Sequence, residues 1–343
     1  MRATLQALPG IAAVRPAWDA LLAPGPGLQG ARLWFAATED AALPPGAKPV
    51  YAALSVDGQP AALVPVLAGA GSLSTPYTLA WRPLLAPGLG ADALHAAAAA
   101  FGQWCRQWPV LVLDALPGAW PGLDPWRQGL RAGGLAVRQF RQFGNWHEPL
   151  NGRAWDEYLA ARPGQLRETL RRKGRLAERA GLRFEAATDP AAIGLALDAY
   201  EAIYARSWKV PEPYPRFNAA FLHRAAAVGA VRMGVAWLNG VAVAAQYWTV
   251  SDGVATVMKL AHDDAHKALS PGTLLTGWMI RRLLGEGAAA LDFGRGDDGY
   301  KQLWCSERRQ HVGLLLANPW RPRGLLALAR QDAGSLRLLL QSR

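Results

Sequence analysis

Ser270-Pro271-Gly272-Thr273, continued by Leu274, Leu275, Trp278, Met279, Leu283 and Leu284, decides how this chain is read. The apolar residues recur at helical spacing, and a proline sits at the first helical position. The pattern predicts a helix that stops at Gly285-Glu286-Gly287. The apolar run Ala288 to Leu291 predicts a short buried strand. After it comes Asp292-Phe293-Gly294-Arg295-Gly296-Asp297-Asp298-Gly299-Tyr300-Lys301, a polar loop at the strand's C-terminal end. An open helix N-terminus presents unpaired backbone N–H groups and the positive end of its dipole to anions. Proteins with α/β architecture hold ligands in the crevice beyond parallel strand ends. The function is therefore sought between this helix start and this loop.

Working outward, Val231 to Leu238 and Val241 to Val250 read as strands joined by an Asn239-Gly240 hairpin turn. Ser251-Asp252-Gly253 turns the chain into a further strand, Val254 to Leu260. The same order stands in the first half. Val50 to Val56 and Gln59 to Leu67 flank Asp57-Gly58, an irregular strand region spans Pro76 to Leu85, and Pro87-Gly88 precedes an Ala-rich helix, Asp92 to Trp104. Pro109 to Leu113 is a buried strand ending in Asp114, as Leu291 ends in Asp292. Proline and aspartate are 27 residues apart in the first copy and 21 in the second, so the match is one of architecture. The expected fold is α/β with mixed sheets in two copies of one unit. The expected domains are 1–150, 151–312, and a basic amphipathic tail over 313–343.

Between the copies, Gln165 to Ala180 reads as a helix carrying Arg167, Arg171, Arg172, Lys173, Arg175 and Arg179, with too few apolar positions for deep burial. It is either a solvated face or a wall of an anion site. Ala191 to Trp208 reads as an amphipathic helix. The tail from Leu314 mixes leucine runs and Trp320 with five arginines against Asp332, which suits either an anionic membrane surface or packing on the protein.

Composition narrows the classes. With 51% hydrophobic and 18% charged residues the chain is not a disordered one, and its 343 residues point to two domains. Cys105 and Cys305 make no disulfide framework and suit a reducing compartment. No Cys/His cluster has zinc spacing, and no metal is expected. Pro9-Gly10 breaks the first apolar run, so no secretory leader is expected, and no run is long enough to span a bilayer. The expectation is a cytoplasmic protein, with the inner face of the membrane as a peripheral address. The net charge is +11. Residues 1–150 hold 10 Lys/Arg against 8 Asp/Glu, and residues 151–343 hold 27 against 18, so the basic half is the half with the Ser-Pro-Gly helix start. That fits an anionic partner, or simply solubility.

The basic helix, the Asn239-Gly240 hairpin, the Ser270-Pro271-Gly272 helix start, and Asp292-Phe293-Gly294 with Asp298-Gly299-Tyr300-Lys301 together resemble GNAT-superfamily acyltransferases. The likeness is to the tandem FemAB-like and cellulose-biosynthesis CelD-like branch. It is strongest over roughly 155–312; the first half resembles a degenerate leading copy through the repeat order alone. The resemblance implies acyl transfer from a thioester such as acyl-CoA, a co-substrate and not a resident cofactor, to an amine on an envelope glycan, amino sugar or lipid. FemAB relatives use aminoacyl-tRNA instead, a donor ranked behind the thioester here; an inactive envelope-assembly protein is the third alternative, and DNA is not expected. The family's Gly-rich pyrophosphate loop is missing: His262 to Thr273 stands in its place with one glycine.

Such a reaction needs a base for the amine, donors for the developing oxyanion and a proton for the leaving thiolate. Asp292 and His262 are the candidate bases, and Tyr300 the candidate acid. Backbone N–H groups near Val257 to Leu260 are candidate oxyanion donors. Lys259, Lys301, Ser270, Gly272 and Thr273 are candidates for holding the donor's phosphates. Each has a plainer reading: a turn cap for Asp292, a surface histidine for His262, packing for Tyr300, solvated surface for the lysines. Asp292-Phe293-Gly294 is also the kinase metal-binding triplet, but no His-Arg-Asp loop lies upstream.

Overall fold

The computed structural model describes residues 1–207 and 209–341. Trp208, the expected end of the Ala191 helix, and Ser342 and Arg343, the expected end of the tail, lie outside the described residues. The chain divides into two compact units built from separated segments. The first unit is Met1–Ala23, Leu43–Phe143 and Arg309–Arg343; the second is Pro24–Ala42, which carries helix α1 (Arg32–Ala41), and Gly144–Arg308. The boundaries expected at 150 and 312 fall inside the second and first units respectively, because two long strands, β7 (Ala136–Pro149) and β13 (Glu307–Ala317), each cross from one unit into the other.

The first unit holds a sheet in the order β1 (Ala3–Pro9), β2 (Pro49–Val56), β3 (Gln59–Leu67), β4 (Gly71–Ser72), β6 (Val110–Pro117), β13, β7, with β5 (Leu84–Leu85) on β3. β4 and β6 run parallel, while β1–β2, β2–β3, β3–β4 and β6–β13 are antiparallel. Asp57 and Gly58 both take positive φ, 49° and 81°, as a two-residue hairpin turn requires. Helices α2 (Ala91–Cys105) and α3 (Leu123–Ala132) pack closely at glycines: a Cβ on Gly129 would lie 2.4 Å from the His95 carbonyl oxygen. The core gathers Leu54, Val64, Phe101, Trp126 and Leu314. The tail differs from expectation. Residues 313–317 are the inner part of β13, buried because the Leu314–Leu316 run pairs with β6, and helix begins only at α9 (Pro322–Gln341).

The second unit, after the end of β7, runs through α4 (Trp155–Ala160), α5 (Gly164–Arg179), β8 (Arg183–Ala187), α6 (Pro190–Ala205), α7 (Phe217–Ala227), β9 (Val231–Leu238), β10 (Val241–Ser251), β11 (Val254–His262), α8 (Pro271–Gly285) and β12 (Ala290–Arg295). Its sheet order is β8-β9-β10-β11-β12-β7, with β11 and β12 parallel and the other pairs antiparallel. α1 joins this unit by setting Trp34 edge-on against the stacked rings of Phe217 and Phe221 of α7, at ring-centroid distances of 5.4 and 5.3 Å. Leu275, Met279, Ile280 and Leu283 of α8 are fully buried in the core with Trp248 and Leu291.

The order expected from the sequence is present as β2-β3-β4-α2-β6 and as β9-β10-β11-α8-β12, but the third strand of the first copy is Gly71–Ser72 and not the expected Pro76–Leu85, where only Leu84–Leu85 is strand and pairs with β3. The fold is mixed α/β with two GNAT-like units. The copies differ where an anion would bind. The first turn of α2 holds Asp92, and that of α8 holds no acid. The strand before the helix has two residues in the first copy and nine in the second.

Candidate active site

The site forms where β11 and β12 part. Parallel pairing joins them at Val254↔Ala290, Ala255↔Leu291 and Thr256↔Asp292 only. Beyond Thr256, among the described residues, the two strands no longer pair. β11 is also irregular at this point: its register against β10 jumps from Val257 to Lys259, leaving Met258 as the extra residue. The strand segment expected to offer oxyanion donors, Val257 to Leu260, is thus the one released from β12.

β11 ends at His262, and a six-residue 3₁₀ segment, Asp264–Leu269, leads to α8. Ser270 stands before the helix at φ 54° and ψ 48°, a left-handed conformation uncommon outside glycine. Its side chain makes no capping hydrogen bond. The first helical residue is Pro271, which has no N–H, so Gly272 and Thr273 present the first amides; Leu274 N–H already bonds to the Ser270 carbonyl. The His262 ring lies over Gly272: a Cβ there would come within 3.2 Å of Nδ1. Glycine at 272 keeps that approach open.

His262 is half-buried, and Nε2 is 3.6 Å from Asp264 Oδ1. Burial holds its pKa below the ordinary histidine value, with Asp264 opposing and Lys209 adding to the fall. The imidazole is therefore neutral near pH 7 and able to accept a proton.

Asp292 continues inside β12 and does not end it. Its Oδ1 accepts from Gly294 N at 2.7 Å and from Asn145 Nδ2 at 2.6 Å. Gly294 has φ 65°, so the carboxylate holds a left-handed turn. Tyr300 has 39% of its surface exposed and meets Phe293 edge-on. Burial and the Asp298 carboxylate push its hydroxyl pKa up, so the phenol keeps its proton. Lys301 is buried, not solvated. Its Nζ donates to the Arg295 carbonyl at 2.5 Å and lies 3.2 Å from Asp298, which closes the 295–301 loop. Lys259 is paired with Glu212, at 2.6 and 2.8 Å to the two carboxylate oxygens. Both lysines are thus engaged within the protein.

Lys209 was not singled out by the sequence reading, yet it connects these groups. Its Nζ donates to the Leu260 carbonyl, and the charges of Lys259, Glu212, Asp298 and Lys301 all act on it. Burial, then Lys259, lower its pKa. Lys209 also acts on His262. Around it gather His262, Lys259 and Lys301. Asp292 and Tyr300 form a second group, each close enough to act on buried Cys305.

Cys305 also feels a buried ion network that the sequence did not reveal. Glu148 of β7 accepts from Arg162 at 2.7 and 3.0 Å, and from Ser306 N and Oγ at 2.7 and 2.6 Å. Burial acts to raise its pKa, but the hydrogen bonds from Ser306 and Arg153, with the Arg162 charge, outweigh burial and hold the carboxylate below its ordinary range. Arg162 Nη1 and Tyr158 Oη both donate to the Trp304 carbonyl, at 2.9 and 2.7 Å. Asp297 binds Arg308 at 2.6 and 2.8 Å and accepts from Gly144 N. The loop carrying Tyr300 is fixed at both ends. Among the described residues no group of three or more His, Cys, Asp or Glu side chains is placed to hold a metal ion.

Residues 164–302 match the family model described as "Acetyltransferase (GNAT) domain". The matched span runs from the start of α5 to just past Tyr300 and Lys301, and so takes in the α8 helix start. No curated protein matches the chain at a significant level. Among solved structures, FemX is similar at TM-score 0.60 and 11% identity, covering 91% of this chain and 97% of that one. L-PGS from Bacillus licheniformis is similar at TM-score 0.52 and 12% identity, covering 88% and 95%. At such identities these likenesses speak of fold alone. Residues 164–302 carry the match to the GNAT domain, and the chain has the tandem, FemAB-like fold of the GNAT superfamily.

Proposed function

We propose that the second unit moves an acyl group from a CoA-type thioester to a primary amine on an envelope glycan, an amino sugar or a lipid. The amine nitrogen attacks the thioester carbon, the C–S bond breaks, one proton leaves the amine and one joins the thiolate. In this reading His262, held neutral by burial, takes the amine proton. Tyr300, which holds its proton at neutral pH, gives that proton to the departing thiolate. The released edge of β11 faces the developing oxyanion. Gly272 and Thr273 amides hold the diphosphate. Asp292, engaged by Gly294 and Asn145, shapes the loop, Lys301 closes it on Asp298, and Lys209 lies among these charges beside His262.

The observation that carries this reading is the uncapped, acid-free start of α8 at the mouth of the β11–β12 gap. A second reading, aminoacyl-tRNA as donor, draws on the exposed Arg172, Arg175 and Arg179 of α5 and on the fold shared with FemX. Thermal shift of the full chain with acetyl-, medium- and long-chain acyl-CoA separates the two, since a ligand of the folded state raises its melting temperature. The thioester reading expects a shift with at least one acyl-CoA. Salt-sensitive tRNA binding with no acyl-CoA shift would favour the second reading. No shift and no tRNA binding would point to an assembly protein without catalysis.

A further inference from the structure

The start of α9 is built inside out. Gly324 is its buried contact, so close to the chain that a Cβ there would meet the Asn318 and Pro109 carbonyl oxygens. Leu328 is half-buried, but three large apolar residues face outward: Trp320 is 81% exposed, Leu325 54% and Leu326 50%. Ala329 and Ala333 continue the exposed stripe at helical spacing. Arg321, Arg323 and Arg330 are exposed beside it, and the acid of this stretch, Asp332, is taken by Arg138 at 2.9 Å. Next to Trp320 lies an open recess of about 690 Å³, lined by Gln103, Arg106, Gln107 and Arg321 among others. Asn318 fixes both of its walls, donating to the Arg106 carbonyl at 2.7 Å and accepting from Trp320 N at 3.0 Å.

An exposed tryptophan, an outward leucine pair and flanking arginines are what a helix lying in a lipid–water interface requires. No helix among the described residues is long and apolar enough to cross a membrane, so the contact would be lateral. We infer that Trp320, Leu325 and Leu326 insert into an anionic lipid surface, with Arg321, Arg323 and the Arg106 recess taking its phosphate groups. The charge of the patch selects this occupant over a second copy of the chain, whose same patch would bring like charges together. The inference stands apart from the acyl-transfer reading.

The test is co-sedimentation of the full chain, with no acyl donor, against phosphatidylcholine vesicles and vesicles containing phosphatidylglycerol. The expected result is pelleting with the anionic vesicles that weakens as salt rises. Replacing Leu325→Glu and Leu326→Glu together lowers the partition at least about tenfold. Arg321→Ala and Arg323→Ala each lower it about fivefold. All these positions are exposed, so the melting temperature holds. Failure to pellet with anionic vesicles, or equal pelleting of the leucine variant, overturns the inference. So does a solution dimer that the leucine variant dissociates.

Discussion

Two acidic residues that look alike in the sequence do different work. Glu148 is a structural charge held by Arg162, Arg153 and Ser306, and removing one partner of a buried pair strands the other. Glu148→Ala should therefore lower unfolding free energy by about 3–5 kcal/mol, read in a denaturant melt; an effect below about 1 kcal/mol would show that the network carries no such weight. Asp292→Asn keeps an oxygen for Gly294 N–H and should hold the rate within about tenfold, whereas loss of a catalytic base costs about 10²–10⁴. His262→Gln should show that larger loss. Because burial lowers the His262 pKa, its base form persists below pH 6.5. The wild-type kcat/KM should stay level through 6.5 and fall at lower pH, and the variant should lose that limb. The same shift has a stability sign: the unfolded chain protonates first, so the part of stability due to this group is present above 6.5 and lost as pH falls further. His262, Tyr300 and Asp292 were all legible as candidates. Lys209 was not, because a lysine after an amphipathic helix carries no local sign that it will be drawn against Leu260 and four charged side chains. Glu148 and Arg162 are 14 residues apart, and only the fold brings them together.

At the scale of elements, the account gives α8 two properties that one substitution separates. Thr273→Asp puts a carboxylate in a first turn that holds no acid. It should stabilise the helix by about 0.3–1 kcal/mol while weakening donor binding about tenfold or more, seen as a rise in KM. Loss of stability together with unchanged KM would contradict both halves. In the first unit, Gly129→Val would drive a side chain into the His95 carbonyl and Ala98, and should cost at least about 1–3 kcal/mol in a thermal melt. The elements of the candidate site were readable, since α8, β9, β10, β11 and both hairpins follow strong periodicity and turn chemistry. α7 was missed although Phe217, Phe221, Leu222 and Ala225 keep helical spacing, because the three prolines before it read as a loop and nothing marks where that loop ends. α1 was missed for a different reason: its one buried tryptophan packs against a helix almost two hundred residues away in sequence.

For the whole molecule, interleaving of segments matters more than the domain count. The second unit contains Pro24–Ala42 and the end of β7, so a fragment of residues 151–312 lacks both Trp34, which packs edge-on against Phe217 and Phe221, and the strand that pairs with β12. Such a fragment should show no cooperative melt; a sharp transition would mean that α1 and β7 are dispensable. Sequence repeats revealed the duplication, but Leu135 to Phe143, at the start of β7, reads as an ordinary strand, the Leu314–Ala317 end of β13 reads as part of the tail, and no local signal tells that a strand passes from one unit to the next.

Calorimetric titration of the full chain with CoA, beside its Thr273→Asp variant, tests the central claim most directly. If bare amides at the head of α8 grip a diphosphate, the wild type binds saturably and the variant binds about tenfold or more weakly at equal or greater thermal stability. Wild type and variant binding alike, or a wild type that takes up no CoA at all, would contradict it.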